Sequence, residues 1–155
     1  MQKMPRCFSS GRISALVAIF ILLSDQISKF AVVDHLRPGE QWPVYFFLNI
    51  VHVENRGVTF GILKDALPPW LWVLVSMTIV LFLFLWARDK KQYRLPAALV
   101  AAGAVGNSID RMAHGAVIDF LDFYASTYHW PAFNIADSAV VVGAVVLFFL
   151  SCGGE

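Results

Sequence analysis

The sequence predicts a membrane all-α fold, four transmembrane helices with a small extracytoplasmic β-sheet. Three observations predict it. Hydrophobic residues make up 58% of the 155 positions and charged residues only 15%, where a soluble domain is nearer half apolar and a quarter charged. The apolar excess is gathered into four blocks, each close to the roughly 20 residues that a spanning helix needs. One of the stretches between them is rich in aromatic and β-branched residues, the composition of strands. The length fits a single polytopic domain over residues 1–155.

The first block covers about 13–33 and follows Lys3, Arg6 and Arg12. A cleaved signal peptide would show an uninterrupted apolar run and a small-x-small cleavage site. Asp25 and Lys29 interrupt this run and no such site follows, so the block is expected to be a retained helix. The other blocks cover about 69–87, 95–112 and 134–152. Trp70 and Trp72 at one end of the second, with Trp86 at the other, fit interfacial belts. In the third, Ala98, Ala102 and Gly106 recur every four positions, a spacing that lets helices approach closely. Between the first two blocks, the stretches 44–53 and 58–63 read as strands. Asn55-Arg56-Gly57 lies between them as a turn signal, which predicts a hairpin or small sheet.

Lys and Arg near helix ends set orientation. The N-terminal tail carries three, and the short loop between blocks two and three carries Arg88, Lys90, Lys91 and Arg94. With four spans both segments lie on the cytoplasmic side, and both termini are cytoplasmic. The loops 34–68 and 113–133 are then extracytoplasmic. They and the adjoining helix ends hold Lys29, Arg37, Arg56, Lys64 and Arg111, so the bias is one of density. A net charge of +1 points to no nucleic-acid partner. Cys7 and Cys152 form no Cys-x-x-Cys pair, and His35, His52, His114 and His129 are scattered, so neither a disulfide framework nor a metal site is expected.

An ionisable side chain within a span costs roughly 3 kcal/mol on insertion scales and calls for an explanation. Asp25 and Lys29 are four apart on one helical face in the favourable order, which suits a structural ion pair. Ser28 beside Lys29 raises a Ser/Lys dyad, but neighbours on a helix point about 100° apart. Asn107 and Asp110 share a face at the end of the third block, beside Arg111. Asp119 and Asp122 lie in a short extended apolar stretch, where positions three apart face opposite sides. Asp137 falls in the first turn of the fourth block, where an acid also complements the helix dipole. Two carboxylates sharing a proton in a poorly hydrated site divide base and acid roles, as in aspartic proteases. That chemistry needs no metal, serine or cofactor. Spacing leaves open which aspartates pair. It also leaves open a non-enzymatic membrane protein, for transport or lipid-binding assembly, that uses these charges for ion or headgroup contact.

Five blocks, in order, carry a resemblance that covers nearly the whole chain. They are Asp25-Gln26-Ile27-Ser28-Lys29, Asn55-Arg56-Gly57-Val58-Thr59-Phe60, Gly106-Asn107-Ser108-Ile109-Asp110-Arg111, Val117-Ile118-Asp119-Phe120 and Phe133-Asn134-Ile135-Ala136-Asp137-Ser138. The chain resembles the bacterial lipoprotein (type II) signal peptidases. Val58 and Thr59 depart from the small residues that many members carry there. The resemblance implies an intramembrane aspartic peptidase of the bacterial inner membrane, with its site on the extracytoplasmic side beneath a β-cradle. It implies no cofactor, a monomer surrounded by membrane lipid, and diacylated prolipoprotein substrates cut before the lipidated cysteine. Position by position, it implies Asp119 and Asp137 as the catalytic pair. It implies Asn55, Gly57, Asn107, Arg111 and Asn134 as substrate-binding or supporting residues, and Asp25, Lys29 and Asp110 as scaffold.

Overall fold

The computed structural model describes residues 10–57 and 68–152. Lys3, Arg6, Cys7, Lys64 and the expected strand 58–63 lie outside the described residues. Four helices carry the four apolar blocks: α1 (Ser10–His35), α2 (Pro69–Ala87), α3 (Arg94–His114) and α4 (Ile135–Cys152). Pro69 opens α2, where a missing N–H costs nothing and the fixed φ suits a helix. A one-turn 3₁₀ segment, Lys91–Tyr93, leads directly into α3.

Among the described residues α1, α2 and α4 are long and apolar enough to cross a membrane, and α3 is not among them. The physical reason is its position. α3 packs against each of the other three helices. Its buried face is built of small residues, Pro96, Ala97, Val100, Ala102, Gly103 and Gly106, with polar side chains at its end. The outer faces of α2 and α4 are bare instead, with Phe82, Phe84, Phe148 and Phe149 each more than half exposed.

The approach of α3 to α4 and α1 is close at Gly106, a member of the expected stripe, and closest at Gly103 beside it. A Cβ on Gly103 would stand 2.2 Å from the Ala136 carbonyl oxygen, and one on Gly106 would stand 2.8 Å from Asp25 Oδ2. On α4, a Cβ on Gly143 would stand 2.7 Å from the Pro96 oxygen. Ala102 and Gly106 are buried as expected, whereas Ala98 turns toward α1 and α2. Glycine at 103 is what allows the two backbones to approach.

Four antiparallel strands form one sheet in sequence order: β1 (Gln41–Tyr45), β2 (Leu48–Asn55), β3 (Val117–Ala125) and β4 (Tyr128–His129). β1 and β2 are joined by a hairpin turn at Phe46–Phe47, inside the stretch 44–53; the strand expected after Asn55-Arg56-Gly57 lies outside the described residues. β2 ends at Asn55, and just beyond it the Gly57 N–H donates to Asn55 Oδ1 at 3.0 Å, a turn closed by a side chain. β2 pairs with β3 because the apolar run after α3 offers a nine-residue partner. Asp119, expected in a short extended stretch, is thus an inner position of a full strand. Gly115, at φ +74°, supplies the left-handed residue that stops α3 and turns the chain into β3, its N–H donating to the Arg111 oxygen at 3.1 Å.

Candidate active site

Asp119 lies in the third residue of β3 and Asp137 in the first turn of α4. Phe133 brings them together. The N–H groups of Phe120 and Leu121 donate to its oxygen at 3.0 and 2.8 Å, and its own N–H donates to the Leu121 oxygen at 3.1 Å. This splint lays the start of α4 along β3 and sets Asn134 beside Asp119.

Asn134 is the joint of the site. Its Oδ1 accepts from the Asp137 N–H at 2.8 Å, while its own N–H donates to Asp137 Oδ2 at 3.3 Å. This reciprocal pair is a capping box, so the motif that starts α4 also orients Asp137. The Asn134 amide group then donates to Asp119 Oδ1 at 2.7 Å. One fully buried residue therefore reaches both carboxylates, Asp119 through its side-chain amide and Asp137 through its backbone N–H. Asn55 Nδ2 donates to the other Asp119 oxygen at 3.0 Å, and Asn107 Nδ2 to Asp137 Oδ1 at 2.8 Å.

Behind this layer sits an ionic cluster. Lys29 Nζ stands 2.8 Å from Asp25 and 2.7 Å from Asp110, all three buried. The expected Asp25–Lys29 pair is therefore present, with Asp110 as a second acid on the same ammonium. Lys29 also donates to Asn107 Oδ1 at 3.0 Å, which turns the amide of Asn107 so that its N–H faces Asp137. Asp25 Oδ1 accepts from the Ala136 N–H at 2.8 Å, and Asp110 Oδ2 from the Ile118 N–H at 3.3 Å. Each acid thus grips the backbone one residue before a site aspartate, and Lys29 links the two grips. Gln26, which pattern reading passed over, donates to both acids at 3.2 Å. Ser28 Oγ donates instead to the backbone oxygens of Ser24 and Asp25, so it does not meet Lys29 as a dyad would require.

Replacing Lys29 with Met leaves two buried carboxylates without their cation. Breaking a buried pair in this way costs about 3–5 kcal/mol. The expected result is a marked fall in the detergent thermal midpoint of Lys29→Met, with Lys29→Arg intermediate. A midpoint unchanged by Lys29→Met rules out the linking role.

Arg111 donates to the oxygens of Gly57 at 3.1 Å and Asn107 at 3.4 Å. Among the described residues it makes no ion pair with a carboxylate. Asp122 faces away, accepting from Asn49 Nδ2 and meeting His129 Nδ1, each at 2.9 Å.

A cavity of about 680 Å³ is lined by Asp119, Asp137, Asn55, Asn107 and Arg111 on one side, and by Trp72, Val75 and Ile79 of α2 and Val141 of α4 on the other. Trp72, at the start of α2, is one of the residues that line it. Asp25, Lys29 and Asp110 do not line it. Burial pushes the Asp119 carboxyl up to about 7, the negative charge of Asp137 adds to this, and the bonds from Asn55 and Asn134 and the charge of Lys29 oppose it. Two carboxylates joined through one residue, one of them with its carboxyl pushed up to about 7, can act as base and acid on a single water.

Residues 17–152 match the family model described as signal peptidase (SPase) II. The chain is 42% identical over 135 residues to a lipoprotein signal peptidase of Cupriavidus taiwanensis, covering 84% of this chain and 77% of that one. It is 38% identical over 138 residues to a lipoprotein signal peptidase of Burkholderia cenocepacia, covering 86% and 83%. Two solved structures, each described as a bacterial membrane enzyme, superpose with TM-scores of 0.82 and 0.77 at 30% and 31% identity. The first match covers 91% of this chain and 88% of the other, the second 89% and 91%.

Proposed function

The chain belongs to the signal peptidase II family, and from that premise we propose that Asp119 and Asp137 are the pair with which it cuts. Its activity is that of a membrane protease that removes signal peptides from prolipoproteins. That membership decides against the non-enzymatic alternative. The observation that carries the assignment of the pair is Asn134, which bonds to both carboxylates at the wall of one cavity.

In the proposed cycle the resting pair holds one proton, on Asp119. A water between the carboxylates loses a proton to Asp137 as its oxygen attacks the scissile carbonyl carbon. Asp119 gives its proton to the carbonyl oxygen, forming a tetrahedral diol. The diol collapses as Asp137 passes its proton to the departing nitrogen and Asp119 takes one back from a diol hydroxyl. The products are a signal peptide with a new carboxyl end and a lipoprotein with a free amine on its lipidated cysteine. Asn55, Asn107 and Arg111 lie along the cavity wall, where they would hold the substrate backbone and the diacylglyceryl group, with Gly57 supporting Arg111 through its oxygen. The apolar walls from α2 and α4 suit a substrate that arrives sideways from the bilayer. No step calls for a cofactor.

Purified chain incubated with a diacylated prolipoprotein should release a product whose first residue is the modified cysteine, read by mass spectrometry. Cleavage elsewhere, or equal cleavage of unlipidated precursor, overturns the substrate assignment. The rate should also fall above pH about 7, by up to tenfold per unit, because the shared proton is lost there. A rate that keeps rising through pH 9 would contradict a proton held on Asp119.

We further propose that α3 is the fourth span. Twenty-one residues reach about 30 Å as a helix, and the helices around it shield its small and polar residues from lipid. The whole chain is then one polytopic domain with both termini cytoplasmic, the basic loop 88–94 on the same side, and the sheet and aspartates extracytoplasmic. A monomer contains every residue of the proposed site.

A further inference from the structure

At the opposite end of the helices from the aspartates, a second groove of about 630 Å³ lies between α1 and α2 over the first turns of α3. We infer that it binds one anionic phospholipid of the adjoining leaflet, with the phosphate held by Arg88 and Arg94. Ala15, Ala18, Phe84 and Ala98 are among its apolar walls, and the two arginines line its end.

The walls alone select nothing. Lipid tails are as apolar as the side chains they would touch, so a bilayer gives no hydrophobic preference for the groove. Selectivity must come from the rim, and the rim is cationic. Loop 88–94 holds four cations, Arg88, Lys90, Lys91 and Arg94, against the single carboxylate of Asp89. Arg94 donates through Nε and Nη2 to the Arg88 oxygen at 3.2 and 2.7 Å, which fixes one guanidinium beside the other residue. Arg88 is exposed, its Nε 3.2 Å from Asp89. Lys90 lies over the rings of Trp86 and Tyr93 at 5.3 and 5.4 Å, which leaves the arginines as the charges nearest the groove. Guanidinium forks match phosphate geometry. The obvious competitor is the signal peptide of a substrate, whose leading segment is basic, and the same rim repels it. Charge therefore favours a lipid phosphate.

The leaflet assignment rests on the orientation proposed above, but the binding itself does not. Native mass spectrometry of the purified full chain, titrated with phosphatidylglycerol and with phosphatidylethanolamine of matched acyl chains, measures it directly. The expected result is one phosphatidylglycerol retained per chain, on the order of tenfold better than phosphatidylethanolamine. Arg88→Gln should weaken phosphatidylglycerol retention about fivefold and leave phosphatidylethanolamine unchanged. Ala15→Phe, at an exposed position, should fill the groove and weaken both. Both variants should keep their peptidase activity, which reports that they are folded. Equal retention of the two lipids, or full phosphatidylglycerol retention in both variants, overturns the inference. Displacement of the lipid by an equimolar synthetic signal peptide assigns the groove to substrate and overturns it as well. Membrane-impermeant labelling of Lys90→Cys from the outside only would reverse the leaflet and the proposed topology while leaving the lipid result intact.

Discussion

Replacing either Asp119 or Asp137 with Asn is expected to lower turnover of a diacylated prolipoprotein by at least about 10³-fold, while the protein inserts and folds. The substitution keeps size and shape and removes the proton chemistry. Asp119 accepts from Asn55 and Asn134, and Asp137 from Asn107 and the Asn134 N–H, so an amide oxygen can keep one bond of each pair. The thermal midpoint should therefore remain near that of the parent chain. Burial of Asp119 works against its charged form, so loss of that charge does not undermine the fold. Turnover retained in both single variants would remove the pair from the mechanism. A collapsed midpoint in both would recast the two acids as scaffold.

Gly103→Ala should produce the second large effect. The added methyl would lie 2.2 Å from the Ala136 oxygen and 2.7 Å from Val140 Cγ2, far inside the normal contact distance of about 3.5–4.0 Å. One of the close neighbours is backbone, so α3 and α4 must separate. Overpacking of this kind costs about 1–3 kcal/mol. The functional cost should be larger in proportion, because Ala136 immediately precedes Asp137 and its N–H is held by Asp25. A misplacement of about 1 Å can cost 10²-fold in rate. Gly143→Ala is the control: its Cβ would meet Pro96 and Val100, further along the same seam from Asp137. It should lower the thermal midpoint with a smaller loss of rate. Full activity and an unchanged midpoint in Gly103→Ala would show that the seam is looser than described.

The four helices were legible in the sequence because each is an apolar block closed by a physical stop. Proline opens α2, and the left-handed Gly115 ends α3. The sheet was legible only in part. Residues 44–53 read as strand, but composition does not encode which strand is paired with which. The turn signal at Asn55-Arg56-Gly57 marks the end of β2, but the partner that β2 takes along Leu48–Asn55, β3, comes from another part of the chain. The small-residue stripe was legible at Ala102 and Gly106, which are buried, while Gly103, the closest approach to α4, lies beside the stripe and only the partner helix singles it out. For the site, periodicity found the Asp25–Lys29 pair, which is local to one helix. It could not join Asp119 to Asp137, because that contact passes through Phe133 and Asn134 and depends on a strand bridge. Motif order, and not spacing, singled the two out. Gln26 was missed although it lies in the first motif block, since an uncharged amide raises no question of cost until its partners are known.

The central place of α3 bears on how the chain is made. On the proposed topology, a segment that carries Asn107, Ser108, Asp110 and Arg111 at its end and mostly small residues before it is a weak substrate for the insertion machinery. α1 and α2 emerge from the ribosome first, and both pack against α3. Their early presence at the exit site would give α3 polar and close-packed company before it meets lipid, with Lys29 already waiting for Asp110. Assembly of the ionic cluster would then be an act of membrane integration as much as of folding, and the site would be completed only when α4 arrives to seat its first turn on Asp25.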